Sequence, residues 1–143
     1  MKDYFSVKNY IFISLSLMIL SCGKISPKGN IENKEVNVDE FVNLEMEGKF
    51  RVFYAKANRN YVDIETYPNV ADNLNVEVKD KTLFIKENRK TKGVDFYNII
   101  VYSKYNLEKV SIADSVELNI SSEIKTDNFK LNLKNYSTFM GSV

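Results

Sequence analysis

The sequence predicts an all-β domain, in which antiparallel hairpins lead into solenoid-like rungs, with a plain β-sandwich as the alternative. Three observations carry this. From Phe41 onward the dominant apolar period is two, the signature of strands with one buried face. No stretch of ten or more residues shows a convincing 3.6 period. Two segments near the C-terminus superpose at an offset of 21 residues.

The first element is not part of that domain. Lys2 and Lys8, partly offset by Asp3, precede the uncharged run "YIFISLSLMIL", Tyr10 to Leu20. Eleven residues are too few to span a bilayer, which takes about 20. They fit the apolar region of a secretory signal behind a basic start. Ile19-Leu20-Ser21-Cys22 is similar to the lipobox of bacterial lipoproteins: aliphatic, tolerant position, small residue, cysteine. A thiol at the membrane surface takes a diacylglyceryl group, and a peptidase needs a small residue before its cut. Residues 1–21 are therefore expected to be a lipoprotein signal peptide cut between Ser21 and Cys22. Cys22 is then the acylated N-terminus, carrying palmitate-class chains. Stable anchoring takes two lipid signals, which two or three chains on one residue supply.

Residues 22–39 follow as a flexible tether. The stretch "GKISPKGNIENKEVNVD" is polar, holds Pro27 and Gly29, and has no apolar period. Lys24 and Lys28, rather than acids, follow the cysteine, which favours a periplasm-facing outer-membrane position over surface exposure.

Residues 40–143 form the β-rich domain. "KFRVFYAK" puts Phe50, Val52 and Tyr54 on one face, and "YVDIETY" turns Val62 and Ile64 inward. "LNVEVKD" contributes Leu74, Val76 and Val78, and "TLFIKEN" contributes Leu83 and Ile85. Two short links, Glu47-Gly48 and Asp80-Lys81, read as hairpin turns. "KENRKTKG", residues 86–93, gathers Lys86, Arg89, Lys90 and Lys92 around Glu87. A run of this kind could meet anionic headgroups, but without interleaved aromatics it reads as a solvated loop.

After the strand "NIIVYSK" come the two superposable segments. The offset sets Val110 against Leu131, Ile112 against Leu133, and Leu118 against Phe139. Each segment reads strand, polar corner, strand, with corners at Ala113-Asp114-Ser115 and Asn135-Tyr136-Ser137. A spacing near twenty suits one rung of a β-solenoid, and consecutive hairpins of a sandwich remain the other option.

Composition narrows the chemistry. Residues 1–21 hold two of the 20 basic and one of the 19 acidic side chains, so 18 of each remain beyond them. Zero net side-chain charge gives no electrostatic reason to expect nucleic acid, whose recognition calls for a basic face. The chain has no histidine, the usual base and metal ligand at neutral pH, and its one cysteine is assigned to lipid. Ser-His, Cys-His, zinc and haem chemistry are thereby excluded, and neither a cofactor nor a metal is expected. Carboxylate pairs could be offered for glycan hydrolysis, Asp114 with Glu117 or Asp63 with Glu65. Acids at i, i+2 on an alternating strand are simply its solvent face. Calcium at Asp72, Asp80 or Asp114 lacks the dense acid spacing of a calcium loop.

The order of parts resembles one known family. A lipobox precedes "FVNLEMEGKFRVFY", then "YVDIETYPNVADNLNVEVKDKTLFIKE", then "NIIVYSKYNLEKVSIADSVELNI". This is similar to the autotransporter adhesin head GIN domain, a domain of unknown function common in Bacteroidetes lipoproteins, over residues 40–143. The most specific pieces are "PNVADNLNVEVKDKTLFIK", read as a core-facing strand, and the run from Ile99 to Leu118. The resemblance implies right-handed β-helical rungs, cell-envelope attachment and an adhesive role, and it brings no catalytic residue. Members of that family usually continue through further glycine-rich rungs. Here Gly141 is the only glycine after Gly93, so a C-terminally short product, or one completed by a partner or a second copy, is expected.

The functional expectation is a non-enzymatic, membrane-anchored binding or adhesion module of the cell envelope. It would hold the bilayer through acylated Cys22, take an envelope glycan or protein as ligand, and self-associate through the open solenoid end. Tyr61 and Tyr67, flanking "VDIE", are the candidate binding residues, since tyrosine offers large amphipathic contact area. The alternative is a structural or assembly component of the envelope without a small ligand.

Overall fold

The computed structural model describes residues 23–142. The expected cleavage and acylation positions, Ser21 and Cys22, lie outside them. In chain order the strands are β1 (Glu32–Asn37), β2 (Asn43–Gly48), β3 (Arg51–Lys56) and β4 (Tyr61–Thr66). A short helix, α1 (Pro68–Asp72), leads to β5 (Leu74–Lys79), β6 (Thr82–Glu87) and β7 (Asn98–Ser103). The chain then forms β8 (Lys109–Asp114), β9 (Glu117–Ile120), β10 (Lys130–Leu133) and β11 (Thr138–Met140).

The strands build two open, mixed sheets. One runs β1-β4-β7-β3-β9-β11 and the other β10-β8-β2-β6-β5. The chain repeatedly leaves one sheet and enters the other: β2 to β3, β6 to β7, β8 to β9, β10 to β11. Like members of these pairs align in parallel, so their side chains form columns. Leu83, Leu44, Val110 and Leu131 share one register position. Ile99, Val52, Leu118 and Phe139 share another in the facing sheet. The 21-residue offset is thus the observed register, and the segments 109–140 are stacked pairs rather than consecutive hairpins.

One buried cluster draws on both sheets, with Phe41, Val52, Leu83, Ile99, Leu107 and Val110 fully enclosed. Each such side chain contributes about 1.5–3 kcal/mol by leaving water. Burial weakens along the stack. Ile112 is 1% exposed, whereas Leu133, one position further in the same column, is 48% exposed.

Two turn expectations separate here. Asp80-Lys81 is a hairpin, with β5 antiparallel to β6 and both turn residues at positive φ, 51° and 58°. That is the mirror-image turn matching strand twist. Glu47-Gly48 is not a hairpin. β2 pairs with β6 and β8, and never with β3. The reason lies in side-chain parity: Leu44, Met46, Gly48, Phe50, Val52 and Tyr54 are all buried, an unbroken even series. A two-residue hairpin at Glu47-Gly48 would pair buried Met46 with exposed Lys49 on one face, so the link has to be a corner.

Two further stretches differ from the sequence reading. Residues 32–37, inside the segment read as a tether, form β1, antiparallel to β4. Its sequence "ENKEVN" offers one apolar residue, because both faces of this edge strand are exposed or nearly so. The "PNVAD" part of the stretch read as a core-facing strand is α1. Pro68 starts it at a position where a missing N–H costs nothing, and Val70 and Ala71 are its buried residues.

Candidate functional site

The sequence-derived candidates fall at opposite ends of β4. Tyr61 opens the strand and Tyr67 follows its end, roughly 20 Å apart by strand rise. They do not form one site. Tyr61 stacks on Tyr102 of β7, with centroids 4.2 Å apart and ring planes within 11°. On the β1 side the Arg59 guanidinium lies 3.8 Å from the Tyr61 centroid, held by Glu35 and Asn37 at 2.8 Å each. Both faces of Tyr61 are therefore occupied by the protein. Tyr67 donates its hydroxyl to Asp95 at 2.7 Å and packs against the core.

The acid pairs are also placed. Asp63 and Glu65 share the outer face of β4, and burial with the nearby Glu35 charge pushes the Asp63 carboxyl up. Glu117 pairs with Arg51 at 3.3 Å. Among the described residues no cluster of three or more acidic, histidine or cysteine side chains could hold a metal.

A different region is concave and polar. At the corners leaving the five-stranded sheet, Gly48 aligns with Asp114, and Asp114 lies beneath Asn135. Asp114 and Asn135 take the left-handed conformation, φ 59° and 60°, which Asp and Asn tolerate best among residues with a side chain. Corner amides tie each level to the one below: Ser115 N–H donates to Gly48 O at 3.0 Å, and Tyr136 N–H to Asp114 O at 2.8 Å. These corners border a cleft of about 500 Å³, whose lining includes Lys24, Glu47, Glu87, Lys90, Asp114 and Tyr136. Tyr136 is 86% exposed, so its ring is free as that of Tyr61 is not. Sequence reasoning located both corners but weighed them as connections. Their stacking, readable from the 21-residue offset, was the available signal.

Glu87 sits where the cleft meets the core. Its Oε1 accepts the Lys49 N–H, while its Oε2 is buried without a partner. Burial pushes this carboxyl above its ordinary value and the Asp114 charge adds to the rise, while the Lys49 amide and the nearby Thr91 hydroxyl and amide oppose it. Tyr97 carries the other unpartnered buried side-chain polar atom among the described residues, and burial pushes its phenol up as well. The folded state holds the Glu87 proton more tightly than the unfolded chain does. Its contribution to stability is therefore full below the ordinary 4.5 and is lost as pH rises through the raised value. Glu87→Gln, which keeps an acceptor for Lys49, is expected to abolish that loss. Denaturant midpoints measured between about pH 4 and pH 8 should fall for the natural chain and stay flatter for the variant.

A family model described as "Putative auto-transporter adhesin, head GIN domain" matches residues 40–143. Among solved structures, the chain is similar to a putative adhesin from Bacteroides fragilis, with TM-score 0.73 and 22% identity, over 80% of this chain and 54% of that one. It is similar to a putative lipid binding protein from Parabacteroides distasonis, with TM-score 0.70 and 22% identity, over 78% and 49%. A putative adhesin from Parabacteroides merdae gives TM-score 0.69 and 18% identity, over 78% and 47%. The chain spans about half the length of these structures, and identities at this level speak to the fold alone. No curated protein matches the chain significantly.

Proposed function

The chain belongs to the auto-transporter adhesin head GIN domain family, and from that premise we propose that it is a membrane-anchored, non-catalytic binding module of the cell envelope. Cys22 is its acylated attachment point, and the corner cleft beside Tyr136 is its ligand site. The observation that carries the site is the pairing of a free, 86% exposed aromatic ring with a polar cleft built on stacked corners. Such a combination fits a hydroxyl-rich ligand, a glycan chain of the envelope, whose apolar ring face stacks on tyrosine while its hydroxyls meet the Asp, Asn and Lys side chains. The parallel columns of strand pairs support reading the domain as solenoid-like rungs, which present such corners in a row.

Two measurements test the reading. Mass spectrometry of the protein from its host should find Cys22 acylated, and Cys22→Ser should leave the membrane fraction. Glycan and peptidoglycan arrays should show binding that Tyr136→Ala weakens by about tenfold, the scale of one aromatic contact. Tyr61→Ala should have little effect on it.

One observation favours a second reading, an assembly component without a small ligand. The last strands of the two sheets, β10 and β11, each expose an apolar side chain, Leu133 and Met140. A blank array together with concentration-dependent self-association would replace the first reading by this one.

A further inference from the structure

The residues immediately after Cys22 are bound to the basic loop. Arg89 donates its Nε to Gly23 O at 3.0 Å, and its Nη2 to the same oxygen. Ile25 N–H donates to Lys90 O, and Lys92 N–H donates back to Ile25 O, each at 2.9 Å. The side chain of Asn69, in α1, then fixes the next residues: its Nδ2 donates to Ser26 O at 2.7 Å and its Oδ1 accepts from Lys28 N–H at 2.9 Å. The domain therefore begins at its first described residue, with no slack chain between the loop and the point of attachment.

Lys24, Lys28, Arg89, Lys90 and Lys92 are exposed there, and none forms an ion pair among the described residues. The acids around them are engaged or set in the cleft. Asp72 pairs with Lys34 and Asp95 accepts from Tyr67, while Glu47, Glu87 and Asp114 line the cleft shared with Lys24 and Lys90. Gly23 is one peptide unit, about 3.8 Å, from Cys22. That is well inside the distance of about 8 Å over which charges act in physiological salt.

We propose that this end of the domain, Lys24 and Lys28 with Arg89, Lys90 and Lys92, is a headgroup-binding face that seats the domain directly on an anionic bilayer. The proposal rests on the reading of Cys22 as the anchor. It gives the anchored protein an orientation, with the basic loop, and the rim of the corner cleft that Lys24 and Lys90 line, toward the bilayer. Lysine and arginine at an anionic surface each strengthen partition roughly fivefold, enough to bias a domain already held there by lipid.

The test uses the chain from Cys22 onward, which contains every described strand and the buried cluster they enclose. Its single thiol allows coupling to a maleimide lipid, which recreates the attachment whether or not the host acylates it. Amide exchange across residues 86–93 should slow on vesicles containing phosphatidylglycerol and not on pure phosphatidylcholine. Lys90→Glu with Lys92→Glu should restore the faster exchange. With Cys22 blocked and uncoupled, the same double change should lower partition onto the anionic vesicles by roughly 25-fold or more, the product of two lost cations. Equal exchange on both vesicles, or protection that survives charge reversal, overturns the proposal. An unmodified Cys22 in the host would overturn the anchor and leave the vesicle result standing. An acylated Cys22 without loop protection would overturn the headgroup face alone.

Discussion

Leu44→Ala is expected to cost about 2–5 kcal/mol, the range for a large-to-small change in a tight core. Leu44 is 1% exposed and stands in the middle of its column, with Leu83 on one side and Val110 on the other. Backbone hydrogen bonds on both flanks hold the strands in place, so the neighbours cannot close the gap. A domain of this size has only about 5–15 kcal/mol of stability to lose. Urea unfolding should show a much lower midpoint with an unchanged slope. Leu133→Ala removes the same atoms from the 48% exposed last level and should cost under about 1 kcal/mol. Equal losses at the two positions would mean that the columns do not carry the stability.

Gly48→Ala should destabilise by a similar amount, about 2–5 kcal/mol, through strain and overpacking together. Gly48 closes β2 at φ 155°, a value residues with a side chain rarely adopt. A Cβ there would lie 2.5 Å from both the Phe50 ring and Glu87 Oε1, and 2.9 Å from Glu87 Cγ. Phe50 is itself buried, at 3% exposure, and has no room to retreat. The displaced carboxylate would also release the Lys49 amide, so the pH dependence assigned to Glu87 should change in the same variant. Unfolding midpoints at acidic and neutral pH check both effects. A variant as stable as the natural chain would show that the corner has more room than the contacts imply.

How much of this was legible follows from parity and polarity. The apolar alternation was plain in Val52, Tyr54, Val62, Ile64, Leu83 and Ile85, so the class of fold could be read directly. The hairpin at Asp80-Lys81 was readable because the buried series switches from even to odd there, Val78 to Leu83. The corner at Gly48 was readable by the same rule, since the even series runs through it, yet loop length alone pointed to a hairpin. β1 was not legible, because an edge strand exposed on both faces has no burial to shape its sequence. In the candidate site, Asp114, Asn135 and Tyr136 were visible as corner residues. Their convergence on one cleft depends on Glu87 and Lys24, contributed from distant parts of the chain by contacts that no local pattern records. The engagement of Tyr61 by Arg59 and Tyr102 was equally hidden, being a matter of cross-strand neighbours.

The Tyr61–Tyr102 stack has an optical consequence. Two phenol chromophores held nearly parallel at 4.2 Å couple electronically, and the chain has no tryptophan to mask them. Their absorption in the near ultraviolet should therefore be strongly dichroic while β4 and β7 are joined and lose that handed signal when they part. The domain carries its own spectroscopic gauge of whether the six-stranded sheet is intact.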